Sequence, residues 1–372
     1  MEWLAYHWFV LPLRYLVVAI DPNSRTSPTE ILKRWRKLGM DVVEWSDSDF
    51  WITETNLRIK SNMSEAHDYQ KMTQKSKYLK RQNVFIKQCM LHMKANGKKW
   101  VAFHDIDEYL GYNHPSGIEE FKAWEMKQNK IIKEKKSLKF RSVVRIIPSM
   151  PPPALNQQGA FLPFLEREFG KKNHQSNVPC ITIPRLQFGA IESTEDEISK
   201  SVPPPLDPRR FDTTRWRFHV DRDDFEKNGL SKVVIDVTRI SVEDIEAESA
   251  NGRGRRPYNP HRPLFHHCRT AKISDHETVF RINHYLGSWE AFSFRDDPRK
   301  GGKRTSRDGW EFLSQSATEG PNDWLRPWLV GFVQTVGIEL ASELLKNSGL
   351  EQNYTTAINM SLWMFNNKKE GI

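Results

Sequence analysis

The chain is poor in cysteine and has no long apolar run and no internal repeat. Its three cysteines, Cys89, Cys180 and Cys268, show no Cys-x-x-Cys spacing. That pattern offers neither a zinc cluster nor a disulfide framework, and it leaves the compartment unread. His266 and His267 stand beside Cys268, but no second ligand pair lies at finger spacing. The most apolar stretch, Trp3 to Ile20, is interrupted by His7, Pro12 and Arg14. It falls short of the roughly 20 apolar residues that a membrane-spanning helix needs. It has no cationic leader and no small-residue cleavage site, so it is not a signal peptide, and the chain as given reads as soluble. Charge is not concentrated either: a net +9 is spread over 372 residues with acids among the bases. Such a balance suits an anionic ligand such as a nucleotide diphosphate and does not call for nucleic acid.

Aromatics, by contrast, are plentiful. Thirteen tryptophans and twenty phenylalanines exclude a disordered chain and supply a large core. The proline-rich stretches Pro148–Pro153 and Val202–Pro208 are too short to link independent domains. Core packing is the default reading of Trp289, Trp310, Trp324 and Trp328, although any of them could stack on a sugar. The basic loops Arg253–Arg256 and Arg295–Arg307 read as solvated, or as a clamp for one phosphate.

The N-terminal third carries the clearest pattern. Tyr15–Ile20 is rich in β-branched residues and closes in Asp21-Pro22-Asn23-Ser24, which is turn chemistry. Ser27, Pro28 and Glu30 have the spacing of a capping box that opens a helix. The apolar face of this helix is Ile31, Leu32, Trp35 and Leu38, and Gly39 ends it. Asp41–Trp45 is the next strand, which completes a βαβ unit. Such units place ligands beyond the carboxyl ends of their strands. Residues 61–82 read as a loop or exposed helix. Phe85, Ile86, Cys89, Met90 and Met93 then recur at helical spacing up to Asn96-Gly97. Further on, Phe121–Lys139 reads as a charged helix. Leu138–Ile147, Arg215–His219, Lys232–Ile240 and the Arg281–Tyr285 stretch read as strands.

The chemistry is expected at Trp100-Val-Ala-Phe-His-Asp-Ile-Asp-Glu-Tyr-Leu110. In a continuous strand Asp105 and Asp107 share a face while Ile106 points into the core. Two carboxylates at the exposed end of a buried strand suit Mn²⁺ or Mg²⁺ together with a phosphate-bearing ligand. A metal-dependent nuclease or phosphotransferase would use the same pair, but it would need further acids and preferably a catalytic lysine, and no such array is legible.

Several ordered segments resemble glycosyltransferase family 92. They are Glu2-Trp-Leu-Ala-Tyr-His7, the strand ending at Asp21-Pro-Asn-Ser24, His104-Asp-Ile-Asp-Glu-Tyr-Leu110, Leu186-Gln-Phe-Gly189 and Arg281-Ile-Asn-His-Tyr285. The resemblance implies an α/β, GT-A-like fold: a single domain with a mostly parallel mixed sheet flanked by helices, over residues 1–340, followed by a helical tail, 341–372. It implies an inverting, metal-dependent hexosyltransferase. The donor is a nucleotide-sugar such as UDP-galactose, and the acceptor is a glycan or glycoconjugate. Asp21, Asp105, Asp107 and Glu108 are expected to bind the nucleotide-sugar. Asp105, Asp107 and His284 are expected to hold Mn²⁺ (or Mg²⁺), and Glu192 or Asp297 is expected to serve as the base, with Asp296 a further candidate. The family's first strand and membrane anchor would lie before Glu2. The resemblance therefore implies an N-terminally truncated chain, with a non-catalytic relative of the same fold as the alternative reading, and a Golgi or other secretory-pathway location through an anchor outside it.

Overall fold

The computed structural model describes residues 1–22, 24, 26–51, 73–114, 117–137, 150–170, 179–200, 202–247, 260–264, 267–268, 278–294 and 306–346. Helix α1, Glu2–Val10, runs into strand β1, Tyr15–Ala19. Helix α2, Thr29–Arg36, returns the chain to strand β2, Asp41–Trp45. β1 and β2 pair in parallel, Tyr15 against Asp41 through Ala19 against Trp45, so the expected βαβ unit is present. Leu32 and Trp35 are the buried face of α2, and Gly39 takes a left-handed φ of 76° that ends the turn after it. The start of α2 differs from the expected capping box. The Ser27 hydroxyl accepts from the Thr29 amide at 3.3 Å, and Glu30 pairs with Lys33 at 2.6 Å instead of reaching back.

A long helix, Gln74–Ala95, follows; it begins inside the stretch read as loop or exposed helix and stops at Asn96-Gly97 as expected. Beyond it come strands β3, Trp100–Ala102; β4, Glu108–Tyr112; β5, Cys180–Ile183; β6, Arg185–Phe188; β7, Lys232–Asp236; and β8, Phe280–Tyr285. They form two three-stranded sheets, ordered β3-β7-β5 and β4-β8-β6. The mixed α/β character is as expected, but a mostly parallel sheet is not what the described residues form. β1/β2 and β6/β8 are parallel, whereas β3/β7, β5/β7 and β4/β8 are antiparallel. The expected strand Arg215–His219 is a helical turn, Asp212–Arg215, followed by single bridges at Trp216 and His219. The expected strand Lys232–Ile240 ends at Asp236, where the chain turns into a short 3₁₀ segment. The charged helix spans Ile118–Ser137, and the strand read over 138–147 lies outside the described residues.

The largest core packs α1 against β4, β6 and β8 and against the helices Pro327–Val336 and Ile338–Leu345. The boundary drawn after residue 340 falls inside the second of these helices, whose Ala341, Leu344 and Leu345 are buried in that core. A second core joins Gln74–Ala95 to β3, β5 and β7. Cys180 and Cys268 are bonded to each other, which corrects the reading that the cysteines offer no disulfide; their 88-residue separation hid the pair. No single helix among the described residues is long and apolar enough to cross a membrane.

Candidate functional site

The Asp-x-Asp segment is a turn between two sheets and not the end of one strand. β3 stops at Ala102, β4 starts at Glu108, and the chain between them crosses from one sheet to the other. The expectation that Ile106 faces the core is therefore wrong: its side chain is 81% exposed. Period-2 alternation fails here because a turn, not a pleated strand, sets the side-chain directions. The Glu108 amide donates to the Asp105 carbonyl at 3.1 Å and closes the turn.

β4 pairs with β8, which places Glu108 opposite His284. The Tyr285 amide donates to the Asp107 carbonyl at 3.0 Å, so the end of β8 grips the turn. The Asp107 carboxylate then meets the His284 ring, with Oδ2 and Nε2 3.6 Å apart. Both side chains are largely buried, and the other ring nitrogen of His284 is buried without a hydrogen-bond partner. Among the described residues no group of three or more His, Cys, Asp or Glu side chains converges to hold an ion. A hard divalent cation nevertheless needs only one or two protein ligands where substrate phosphates complete its shell. One oxygen and one nitrogen facing each other across this gap fit that requirement.

The expected ligand Asp105 has a different partner. Its Oδ2 lies 2.8 Å from the Lys232 ammonium, which also lies 3.0 Å from Glu108 Oε2. The Asp105 amide donates to the same Glu108 oxygen at 3.1 Å. Lys232 and Glu108 are each 1% exposed. Burial alone would neutralise Lys232, but Glu108 and Asp105 outweigh it and keep the lysine protonated. Burial would likewise raise the Asp105 carboxyl, and the attraction of Lys232 overcomes this and holds it below the ordinary range. For Glu108, burial prevails over Lys232, with Asp105 adding repulsion, and the carboxyl is raised. Sequence reasoning missed Lys232. The signal was a lysine opening the run Val-Val-Ile-Asp, which as a wholly buried strand obliges that lysine to find acids.

Helix α1 explains part of the Glu-Trp-Leu-Ala-Tyr-His segment, because Trp3 and Tyr6 hold the start of β4. Trp3 Nε1 donates to the Glu108 carbonyl at 2.9 Å, and the Tyr6 hydroxyl donates to the Leu110 carbonyl at 2.6 Å. The His7 ring stacks on Tyr109 and meets His104 edge-on. Its Nδ1–H donates to the Trp3 carbonyl, and burial drives its pKa down to about 3, so the ring is neutral. His104, buried with neither ring nitrogen hydrogen-bonded, is neutral for the same reason. Glu2 points the other way: its carboxylate accepts from the Asp212 and Thr213 amides and the Thr213 hydroxyl.

The other expected residues lie elsewhere. Asp21, just past β1, is 3.4 Å from Arg81, which also binds Asp47 and the Ile20 carbonyl. Glu192 is 49% exposed and paired with Arg215 at 2.7 Å. Asp296 and Asp297 lie outside the described residues, as do His266 and the loop 253–256. Trp328 is in the core, where its Nε1 donates to Thr213. The Trp310 Nε1 donates to the Gly287 carbonyl, and Trp324 lies under the Arg281 guanidinium.

A turn that gathers three carboxylates, a histidine and a buried lysine between two sheets is compatible with a transferase acting on a phosphate-activated donor, and comparison with known families gives the class directly. Residues 21–272 match the family model described as Glycosyltransferase family 92. The match covers well over half of the chain, which therefore belongs to glycosyltransferase family 92. It takes in Asp21, Asp105, Asp107, Glu108, Glu192 and Lys232; α1 and His284 lie beyond its ends. No curated protein and no solved structure matches the chain.

Proposed function

We propose that this chain transfers a hexose from a nucleotide-sugar, UDP-galactose or a close analogue, to a glycan or glycoconjugate, with inversion at the anomeric carbon and with Mn²⁺ or Mg²⁺ on the donor diphosphate. The observation that carries this reading is the Asp107–His284 pair, held at 3.6 Å by the β4–β8 ladder. The cation, when bound there with the donor, would act as a Lewis acid for the charge that develops on the leaving diphosphate. Asp107 and His284 would hold it, and Asp21 and Asp105 would bound the nucleotide side.

Inversion requires a carboxylate to take the proton of the acceptor hydroxyl on the face opposite the leaving group. Glu192 is the base in this proposal, with Asp297 as the alternative. The Arg215 Nε–H donates to Glu192 Oε1 at 2.7 Å and fixes the direction of the carboxylate. The Cys180–Cys268 disulfide supports a place in the secretory pathway, since such bonds persist in oxidising compartments. The test is UDP release from UDP-galactose and UDP-glucose with a panel of glycan acceptors, with NMR of the product anomer. Acceptor-stimulated release with an inverted product supports the reading; a retained anomer, or no turnover of any nucleotide-sugar, removes it.

A further inference from the structure

We propose that Lys232 is a positioning residue for the Asp105-Ile106-Asp107 turn, acting through Asp105 and Glu108 to aim Asp107 at His284. Lys232 opens β7, in register with Ile183 in the sheet β3-β7-β5. Glu108 opens β4, in register with His284 in the other sheet. A single ammonium, 2.8 Å from Asp105 and 3.0 Å from Glu108, thus ties both ends of the crossover to β7. The Asp105 amide on Glu108 Oε2 closes the ring of contacts. Asp107 lies between them in the turn, and its carbonyl is already fixed by the Tyr285 amide. With Asp105 and Glu108 tied, the Asp107 carboxylate is directed toward His284.

The lysine itself is fixed from behind. His261 Nδ1–H donates to the carbonyl of Ser231 at 2.8 Å, and the Cys180–Cys268 bond ties the segment carrying His261 to the first residue of β5. With 1% exposure and two carboxylates on its ammonium, Lys232 is closed off from any ligand. Its effect must pass through the turn, as groups behind metal ligands commonly act.

The inference rests on the proposed function only where a ligand is concerned, so the test has two arms. In the ligand-free protein, hydrogen exchange of amides 103–110 is compared between wild type and Lys232→Met. Exchange there should rise about tenfold or more while α2 is unchanged, as expected of a local opening. The second arm measures affinity for UDP with Mn²⁺. It uses Lys232→Met and the double variant Lys232→Met/Glu108→Gln, in which the buried negative charge left by the lysine is also removed. Affinity should fall about 10- to 100-fold in both, even where the double variant regains the wild-type melting temperature. Unchanged exchange over 103–110, or wild-type affinity in the double variant, would overturn the role of Lys232. Absence of UDP binding in the wild type would count against the proposed function, and the exchange arm would then decide on Lys232 alone.

Discussion

At the scale of single residues the sequence revealed the acids but not their partners. Asp105, Asp107 and Glu108 could be picked out because they follow a short apolar strand, and His284 only through the family resemblance. Their pairing could not be read, since it depends on a turn that crosses between sheets and on a lysine more than 120 residues away from Asp105. Ile106 shows the same failure, because alternation was extended through a turn that breaks it. The base is the prediction that belongs to this scale. Glu192→Gln keeps the shape of the side chain and its contact with Arg215 but loses its proton affinity. Turnover should fall by about 10²- to 10⁴-fold with nucleotide affinity nearly unchanged. Normal turnover in Glu192→Gln, together with an inactive Asp297→Asn, would move the role to Asp297.

At the scale of elements the βαβ unit was legible to within about two residues, because turn chemistry and Gly39 mark its edges. Helix α1 was visible only as part of a family pattern. It is buried on nearly every side, so it lacks the amphipathic stripe that identifies a surface helix. That burial gives α1 an acid–base signature. Glu2 is raised to about 7, by burial first and by the nearby Asp212 second. Its share of stability is present at low pH and is lost as pH climbs from the ordinary glutamate value through 7. His7 runs opposite: lowered to about 3 by burial, it contributes fully above the ordinary histidine value and less as pH falls toward 3. The two slopes oppose each other between about pH 4.5 and 6.5. Glu2→Gln should therefore make stability rise more steeply with increasing pH across that interval, as measured by urea unfolding at stepped pH. An unchanged slope would contradict the burial of that carboxyl.

A second prediction at this scale concerns Gly331 in the helix Pro327–Val336. A Cβ at this position would come within 2.2 Å of the Asn156 carbonyl oxygen. Gly331→Ala should lower stability by about 1–3 kcal/mol, although alanine is the better helix former. A stabilised variant in thermal unfolding would contradict the close approach of that segment.

At the scale of the whole molecule, sequence patterning identified an α/β protein, whereas the mostly parallel sheet implied by the family resemblance is not what the described residues form. Long-range antiparallel pairing, such as β5 with β7 or β4 with β8, leaves no local mark, whereas a parallel βαβ unit does. The disulfide was hidden for the same reason. Joining Cys180 to Cys268 closes a loop of 88 residues and should contribute about 2–4 kcal/mol, largely through the unfolded chain. The double variant Cys180→Ser/Cys268→Ser should lose that much in denaturant unfolding. Stability equal to wild type would argue against the bond.

The central claim is that the crossover turn and β8 together receive a metal-bound nucleotide diphosphate. Thermal unfolding with UDP tests it most directly, in the presence of Mn²⁺ and in excess chelator, for wild type and Asp107→Asn. A ligand bound only by the native state at a hundredfold excess over its dissociation constant adds about 2.7 kcal/mol. Wild type should gain a clear rise in melting temperature from UDP with Mn²⁺ and little without it. Asp107→Asn should stay folded and show no dependence on the metal. Equal stabilisation in excess chelator, or an Asp107→Asn variant that responds to Mn²⁺ as wild type does, would contradict the account.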